Sequence, residues 1–253
     1  WETSKKLDAG FVFGLFNDRL QGEYTYFNTN VDGLILFAPQ APSRGIPGGT
    51  IPVNIGAMVN KGHEIGLSGV VLSSGKFNWR SNVNLTVMSN EVTDLYNGTD
   101  ILSTTSNLET TNITRVGEAV GSIYAVPTQG VNPENGRRLF VKRDGTVVQY
   151  NRAGGATPWT KLDGTATSAP SLINDGVVQG SALPKWFGGW DNPFTYGPFD
   201  LNVQMNYAGG NVIYNGSKAG PRDQRFWNNN KDVLDPWTES NKSGSFPPVV
   251  FPH

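Results

Sequence analysis

Hydrophobic and polar residues alternate along several segments of the chain, with the period of two that is typical of β-strands. The clearest segment is 77–88, where apolar residues fall on one face and Asn, Arg and Thr on the other, with Ser81 the polar exception on the apolar face. Segments 199–207 and 6–15 alternate in the same way, apart from Val12 on the polar face of the latter. Weaker alternation runs through 20–27, 64–72 and 185–196. The pattern predicts an all-β protein.

Short and long connections separate these segments unequally. The short ones, which predict tight hairpins, are Asn17-Asp18, Ser74-Gly75 and Gly197-Pro198. The long ones are rich in Pro, Gly, Thr or Asn and span 38–50, 91–180 and 215–253. Strands of about ten residues, with short turns at one side and long loops at the other, are typical of outer-membrane β-barrels.

Aromatic residues gather beside the short turns, where a barrel places its interfacial girdle. They are Phe16, Phe77, Trp79, Phe194, Tyr196 and Phe199. A soluble β-sandwich shows the same alternation with its apolar face turned inward. The pattern alone therefore leaves a membrane barrel and a soluble β protein open.

Composition excludes several classes of function. Lys and Arg total 20 against 21 Asp and Glu, so the net charge of −1 argues against a nucleic-acid partner. The absence of cysteine excludes disulfides, thiolate metal sites and a cysteine nucleophile. His63 and His253 are the only histidines, and neither belongs to a recognisable catalytic or metal-binding motif. We therefore predict no cofactor, no metal site and no enzyme activity.

Three segments, in order along the chain, carry a family resemblance. They are NIGAMVNKGHEI at 54–65, GSALPKWFGGWDNPFTYGPFDL at 180–201, and RFWNNNKDVLDPWTESN at 225–241. Together they resemble the C-terminal half of the SusC/RagA-type TonB-dependent outer-membrane transporters of Bacteroidetes, and the likeness extends over about residues 1–245.

The resemblance implies a segment of an antiparallel transmembrane β-barrel, about six strands of a 22-stranded barrel with long extracellular loops. It implies a place in the cell outer membrane, in contact with lipid, and a role in the uptake of oligosaccharides or peptides. The implied partners are a SusD-like surface lipoprotein, TonB, and the plug and remaining barrel of the same transporter. Six strands cannot close a barrel, and the chain opens on Trp1 rather than Met. We therefore expect a piece of a longer protein, a processed product, or one of several chains that cover a single barrel.

On this interpretation the chain divides into four parts. Residues 1–90 form barrel strands in two hairpins, and 91–180 form a long extracellular loop. Residues 181–214 form another barrel hairpin, and 215–253 form a second extracellular loop.

The polar faces of the strands would line the barrel interior. The residues predicted to face the lumen or the plug are Asn78, Arg80, Asn82, Asn84, Asp200, Asn202, Gln204 and Asn206. Such a wall either hydrogen-bonds to the plug or leaves a hydrated path for substrate, and the sequence leaves both open.

Substrate contacts are expected in the long loops, where Asn, Thr, Trp and Tyr suit sugars and peptide backbones alike. The candidate substrate-binding residues are Arg222, Arg225, Trp227, Asn228 and Asn229. The same residues could instead hold the loop to its neighbours. Two other functions remain open, a soluble secreted carbohydrate-binding module and a surface-anchored hydrolase, although no catalytic group supports the hydrolase.

Overall fold

The computed structural model describes residues 1–106, 109–151, 154–222 and 229–248. These residues form fourteen strands, β1 to β14 in chain order, which makes the fold predominantly β as the alternation predicted. Their bounds are Thr3–Leu15, Leu20–Pro39, Thr50–Ser74, Phe77–Leu95, Ile101–Ser106, Glu109–Thr114, Ser122–Ala125, Thr128–Val131, Arg138–Val141, Val147–Tyr150, Trp159–Lys161, Val177–Gly180, Trp186–Tyr196 and Phe199–Gly209. The two α-helices, Leu172–Asp175 and Gly216–Ala219, have four residues each. None of the helices in the described ranges is long and apolar enough to cross a membrane.

Six long strands form one antiparallel sheet in the order β1-β2-β3-β4-β13-β14. Its hairpins close at the predicted places, except that the second turn is Gly75-Lys76, one residue beyond Ser74-Gly75. Ser74 stays in the strand because it pairs with Phe77 across the hairpin, and Gly75 supplies the left-handed φ of 57° that the tight turn requires.

The strands extend well past the segments in which alternation is visible. Strand β3 has 25 residues and β2 has 20, whereas a bilayer crossing needs only about 9–11. Alternation fades in the outer parts because a strand with water on both faces has no apolar face to maintain.

The chain separates into two compact units. The first, Trp1–Ser103 with Asn112–Ser122 and Gly180–Val212, contains the six-stranded sheet. The second comprises Thr104–Thr111 with 123–179 and 213–253. Two further four-stranded sheets have the orders β11-β10-β9-β8 and β12-β7-β6-β5.

The second unit buries side chains in a core of its own. Tyr124 and Val148 are fully buried there, and the Tyr124 hydroxyl accepts a hydrogen bond of 3.0 Å from Arg143 Nη2. The same guanidinium donates to the Gly176 carbonyl at 3.0 Å. The segment predicted as the loop 91–180 thus contains eight short strands, together with the last five residues of β4.

Candidate functional site

One face of the six-stranded sheet is polar, because the strand register aligns the polar positions of neighbouring strands. Asn82 lies opposite Ser68 on β3 and opposite Asp191 on β13, and Asp191 lies opposite Gln204 on β14. Ser68 Oγ donates to Asn82 Oδ1 at 2.6 Å, and Asn82 Nδ2 donates to Asp191 Oδ2 at 3.2 Å. A row of hydrogen-bonded side chains therefore crosses the sheet at right angles to the strands.

The neighbouring row is more open. Asn84 lies opposite Gly66 and Gly189, and its Oδ1 accepts a bond of 3.0 Å from the Gly189 amide. Asn206, opposite Gly189, lines a shallow groove of about 370 Å³ together with Asn84. A second groove of about 350 Å³, lined in part by Glu23, also reaches Asn84. Both grooves present hydrogen-bonding groups in a volume that suits a small polar solute.

The structure brings the eight predicted wall residues onto this polar face. Those of β4 and those of β14 flank the same alternate positions of β13, from Gly189 to Thr195, and paired positions share a face of the sheet. They are Asn78, Arg80, Asn82, Asn84, Asp200, Asn202, Gln204 and Asn206. Their contact with a plug or lumen stays a prediction.

The opposite face is apolar and uncovered. On β14, Leu201, Val203 and Met205 remain 61%, 39% and 43% exposed, and Leu85 and Trp79 on β4 are only half-buried. A soluble sandwich would have packed these side chains into a closed core. The exposed apolar face therefore contradicts the soluble β-sandwich alternative.

Polar groups on the apolar face are paired with one another. Trp79 Nε1 donates to Asn192 Oδ1 at 3.2 Å, and Trp190 Nε1 donates to Ser81 Oγ at 2.7 Å, both between β4 and β13. Asn192 is only 4% exposed. The partnership with Trp190 explains why a serine interrupts the apolar pattern, since an unpaired indole N–H in a dry environment is costly.

Aromatic rings border the apolar face at both ends. Beside the short turns, Phe194 stacks on Trp79 with ring centroids 5.5 Å apart and lies 6.4 Å from Phe77. Toward the other end, the Tyr24 hydroxyl lies 2.7 Å from His63 Nδ1. Trp186 and Tyr207 lie at the same end of β13 and β14. Two aromatic belts bounding an apolar band are the signature of a membrane barrel.

The chain matches the family model described as "TonB dependent receptor-like, beta-barrel" over residues 1–247. The chain belongs to this family. The exposed apolar band is thus the wall of a TonB-dependent receptor barrel in the outer membrane, and the predicted SusC/RagA-type β-barrel segment is confirmed. Receptors of this family are transporters rather than enzymes.

Similar proteins include TonB-dependent receptor P3 of Formosa agariphila, 27% identical over 257 residues. TonB-dependent receptor SusC of Bacteroides thetaiotaomicron is 30% identical over 161 residues, 57% of this chain. The solved RagAB peptide transporter has the same fold, with a TM-score of 0.79 at 21% identity over the whole of this chain. The chain covers 24% of P3, 15% of SusC and 26% of the RagAB chain, so it spans about a quarter or less of these relatives.

The loop candidates of this TonB-dependent receptor are only partly within the described residues. Arg225, Trp227 and Asn228 lie outside them. Arg222 Nη2 contacts Asp232 Oδ2 at 2.8 Å, and Asn229 Nδ2 donates to the Pro221 carbonyl at 3.0 Å.

The contacts of Arg222 tie it to its own segment. The bond from Arg222, supplemented by Lys218, lowers the pKa of Asp232 below its ordinary value. Its guanidinium also lies over the ring of Phe246, 5.4 Å from the centroid. The role of Arg222 in substrate binding stays a prediction.

Sequence reasoning missed Arg138, whose guanidinium also lies over Phe246, 5.8 Å from the ring centroid. The basic pair Arg137-Arg138 after Gly136 was visible in the sequence. Its contact with Phe246 joins positions more than 100 residues apart, and nothing local in the sequence encodes that pairing. Within the described ranges no cluster of three or more His, Asp or Glu side chains is arranged to hold a metal ion.

Proposed function

We propose that the chain forms part of the barrel wall of a SusC/RagA-like importer that takes up oligosaccharides or peptides across the outer membrane. The observation that carries the proposal is the two-faced sheet, apolar and uncovered on one side and hydrogen-bonded and polar on the other. Family membership supplies the transport class, and the substrate classes follow from the resemblance to SusC and RagA.

The dimensions of the apolar band support a membrane crossing. Between Tyr196 and Trp186, β13 has eleven residues. A rise of about 3.4 Å per residue and a tilt of about 40° give a height of about 26 Å, close to the roughly 25 Å of an outer-membrane barrel's apolar band. Within the part of the chain that the structure describes, the edge strands β1 and β14 each have one unpaired side. In lipid these edges require further strands, so the rest of the barrel is the first partner that we propose.

The remaining partners follow from the same placement. The short turns would face the periplasm and the segments 91–180 and 215–253 the exterior, where a SusD-like surface lipoprotein would cover them. Strands 1–90 and 181–214 would form the wall, with their polar residues against a plug. TonB would act through a part of the protein beyond these 253 residues.

Uptake by the full-length receptor tests this function. Cells lacking its gene, or lacking TonB, should fail to accumulate a labelled oligosaccharide or peptide that parental cells import, and the intact gene should restore uptake. The same cells should still import a substrate that uses another receptor. Unchanged uptake of every oligosaccharide and peptide in the deletion strain would refute the proposal.

A further inference from the structure

Two arginines of the second unit share one aromatic ring. The guanidinium carbons of Arg138 and Arg222 lie 5.8 Å and 5.4 Å from the centroid of the Phe246 ring. Phe246 is only 7% exposed, so the ring is fixed in place. An aromatic face attracts a cation, and this attraction strengthens as water is removed.

Two hydrogen bonds of Trp237 hold the backbone near the Phe246 ring. The Phe246 carbonyl accepts a bond of 2.7 Å from the Trp237 amide, and Trp237 Nε1 donates to the Pro133 carbonyl at 2.9 Å. The Trp237 ring lies so close to Gly136 that an added Cβ there would come within 2.6 Å of it. Arg138 follows two residues later as the first residue of β9. These contacts hold the start of β9, from which the Arg138 side chain reaches the ring.

The two arginines at this ring differ in their partners. Arg222 shares the carboxylate of Asp232 with Lys218, at 2.8 Å and 3.5 Å. Within the described residues, Arg138 forms neither an ion pair nor a side-chain hydrogen bond. Burial, and then the positive charge of Arg222, lower the pKa of Arg138 below its ordinary value. Among the described residues, Arg138 therefore lacks the carboxylate partner that Arg222 has, and a half-buried cation without such a partner is unfavourable.

We propose that Arg138, positioned over the Phe246 ring beside Arg222, binds a carboxylate group of the transported substrate. A guanidinium binds a carboxylate by donating two parallel hydrogen bonds, and within the described part of the chain the Arg138 donors have no other side-chain acceptor. The inference rests on the proposed import function and narrows its substrate class to acidic oligomers. Uronic-acid oligosaccharides and glutamate-rich peptides carry the same group, so both are candidate sources.

Binding to the purified full-length receptor in detergent tests the inference. The probes are tetragalacturonate against neutral galactotetraose, and a peptide of alternating Gly and Glu against the same peptide with Gln. Wild-type receptor should prefer the acidic member of at least one pair. Arg138→Gln should weaken binding of that member by roughly ten- to a hundredfold, the range expected for a hydrogen bond to a charged group. The neutral probes should bind as before.

Arg137→Gln is the matched control, because it removes the same charge one residue away from the ring. It should leave acidic binding within about twofold of wild type, and Arg138→Lys should retain part of it. Heat-modifiable gel mobility checks that each variant is folded.

Three outcomes overturn the inference: no acidic preference in the wild type, no loss in Arg138→Gln, or an equal loss in Arg137→Gln. The import function fails separately, when deletion of the gene leaves uptake unchanged. If the receptor imports neutral and acidic oligomers alike, the proposed import function stands and the proposed carboxylate site is refuted.

Discussion

The six-stranded sheet and the second unit place similar apolar side chains in opposite environments. Leu201 on β14 is 61% exposed, and Phe11 on β1 is 60% exposed. In the second unit, Val148 is completely buried and Tyr124 is 2% exposed. On the apolar face of the sheet, by contrast, the buried positions include Gly22 and Asn192.

The difference shows that the surrounding solvent decides where apolar side chains lie: away from water in the second unit, and facing outward in the barrel wall. In the second unit, burial of apolar surface away from water stabilises the fold in the usual way. In the barrel wall, the apolar side chains face lipid instead of a protein core. The fold is therefore specified by packing within the sheet and by hydrogen bonds that satisfy every polar group. Exposed apolar side chains would destabilise the second unit, whereas in the wall they are the surface that contacts the membrane.

The largest difference in stability is expected when the same charge is placed on one face or the other of β14. Val203→Arg puts a guanidinium into the apolar band near its midpoint, and we expect a cost of about 2–4 kcal/mol in folding free energy. Gln204→Arg puts the same group on the polar face one residue away, and should cost less than about 0.5 kcal/mol. Heat-modifiable gel mobility of the full-length receptor, with urea unfolding in lipid vesicles, measures both. Equal effects would contradict the assignment of the faces.

Close packing in the wall should show at Gly188. The Tyr207 hydroxyl reaches across β13 and donates to the Asn84 carbonyl at 2.5 Å. A Cβ at Gly188 would come within 2.0 Å of that carbonyl oxygen and 2.7 Å of the hydroxyl. Gly188→Ala should therefore destabilise the barrel by about 1–3 kcal/mol, as overpacking does.

Gly189→Ala provides the matched control for that prediction, since its Cβ would have no neighbour closer than 3.4 Å. The thermal unfolding of the two full-length variants in detergent compares them directly. A melting temperature for Gly188→Ala equal to that of Gly189→Ala would contradict the close packing at Gly188.

The sequence revealed most about the band and least about the second unit. Alternation located all six strands because lipid on one side and polar contacts on the other impose a strict period of two. It missed the outer parts of β2 and β3, where both faces meet water. It also missed the eight strands within 91–180, because strands of three to six residues carry too little pattern to detect.

Some residues of the candidate site could be predicted from the sequence and others could not. Positions such as Asn82 and Gln204 were predictable because register follows from alternation and turn position. Arg138 was not, because its contact with Phe246 depends on the folding of two distant segments. The hydrogen bond between Asn192 and Trp79 was missed for a related reason, since a polar residue on an apolar face is explained only by its cross-strand partner.

Asn192→Leu tests whether paired polar groups are part of the wall's stability. The change leaves the Trp79 indole N–H without its acceptor, and we expect a loss of about 1–2 kcal/mol. Adding Trp79→Phe removes the orphaned donor, so the double variant should lose less than the sum of the two single variants. Strict additivity in urea unfolding would show that the pair has no coupling.

The smallest expected effect lies in the second unit, at Asp235. Its carboxylate accepts bonds from Asn241 Nδ2 at 2.9 Å and from the Ser245 amide and hydroxyl at 3.1 Å and 3.0 Å. These bonds, led by that from Asn241, lower its pKa below the ordinary 3.8. Its stabilising contribution is therefore complete above the unfolded-state pKa, and is lost as the pH falls through the lower folded-state pKa.

We accordingly expect hydrogen-exchange protection of the segment 235–246 in the full-length receptor to decline below about pH 4. Asp235→Asn keeps an acceptor oxygen but cannot titrate, so this decline should disappear. Asp163→Asn, in a separate turn where the carboxylate accepts from the Thr165 amide, should leave the pH dependence of 235–246 intact. Because these bonds all lie within the segment 235–245, protection of β4 and β13 should stay constant over the same range. A parallel decline in those strands would mean that the two regions are not independent in stability, and the contrast between them would fail.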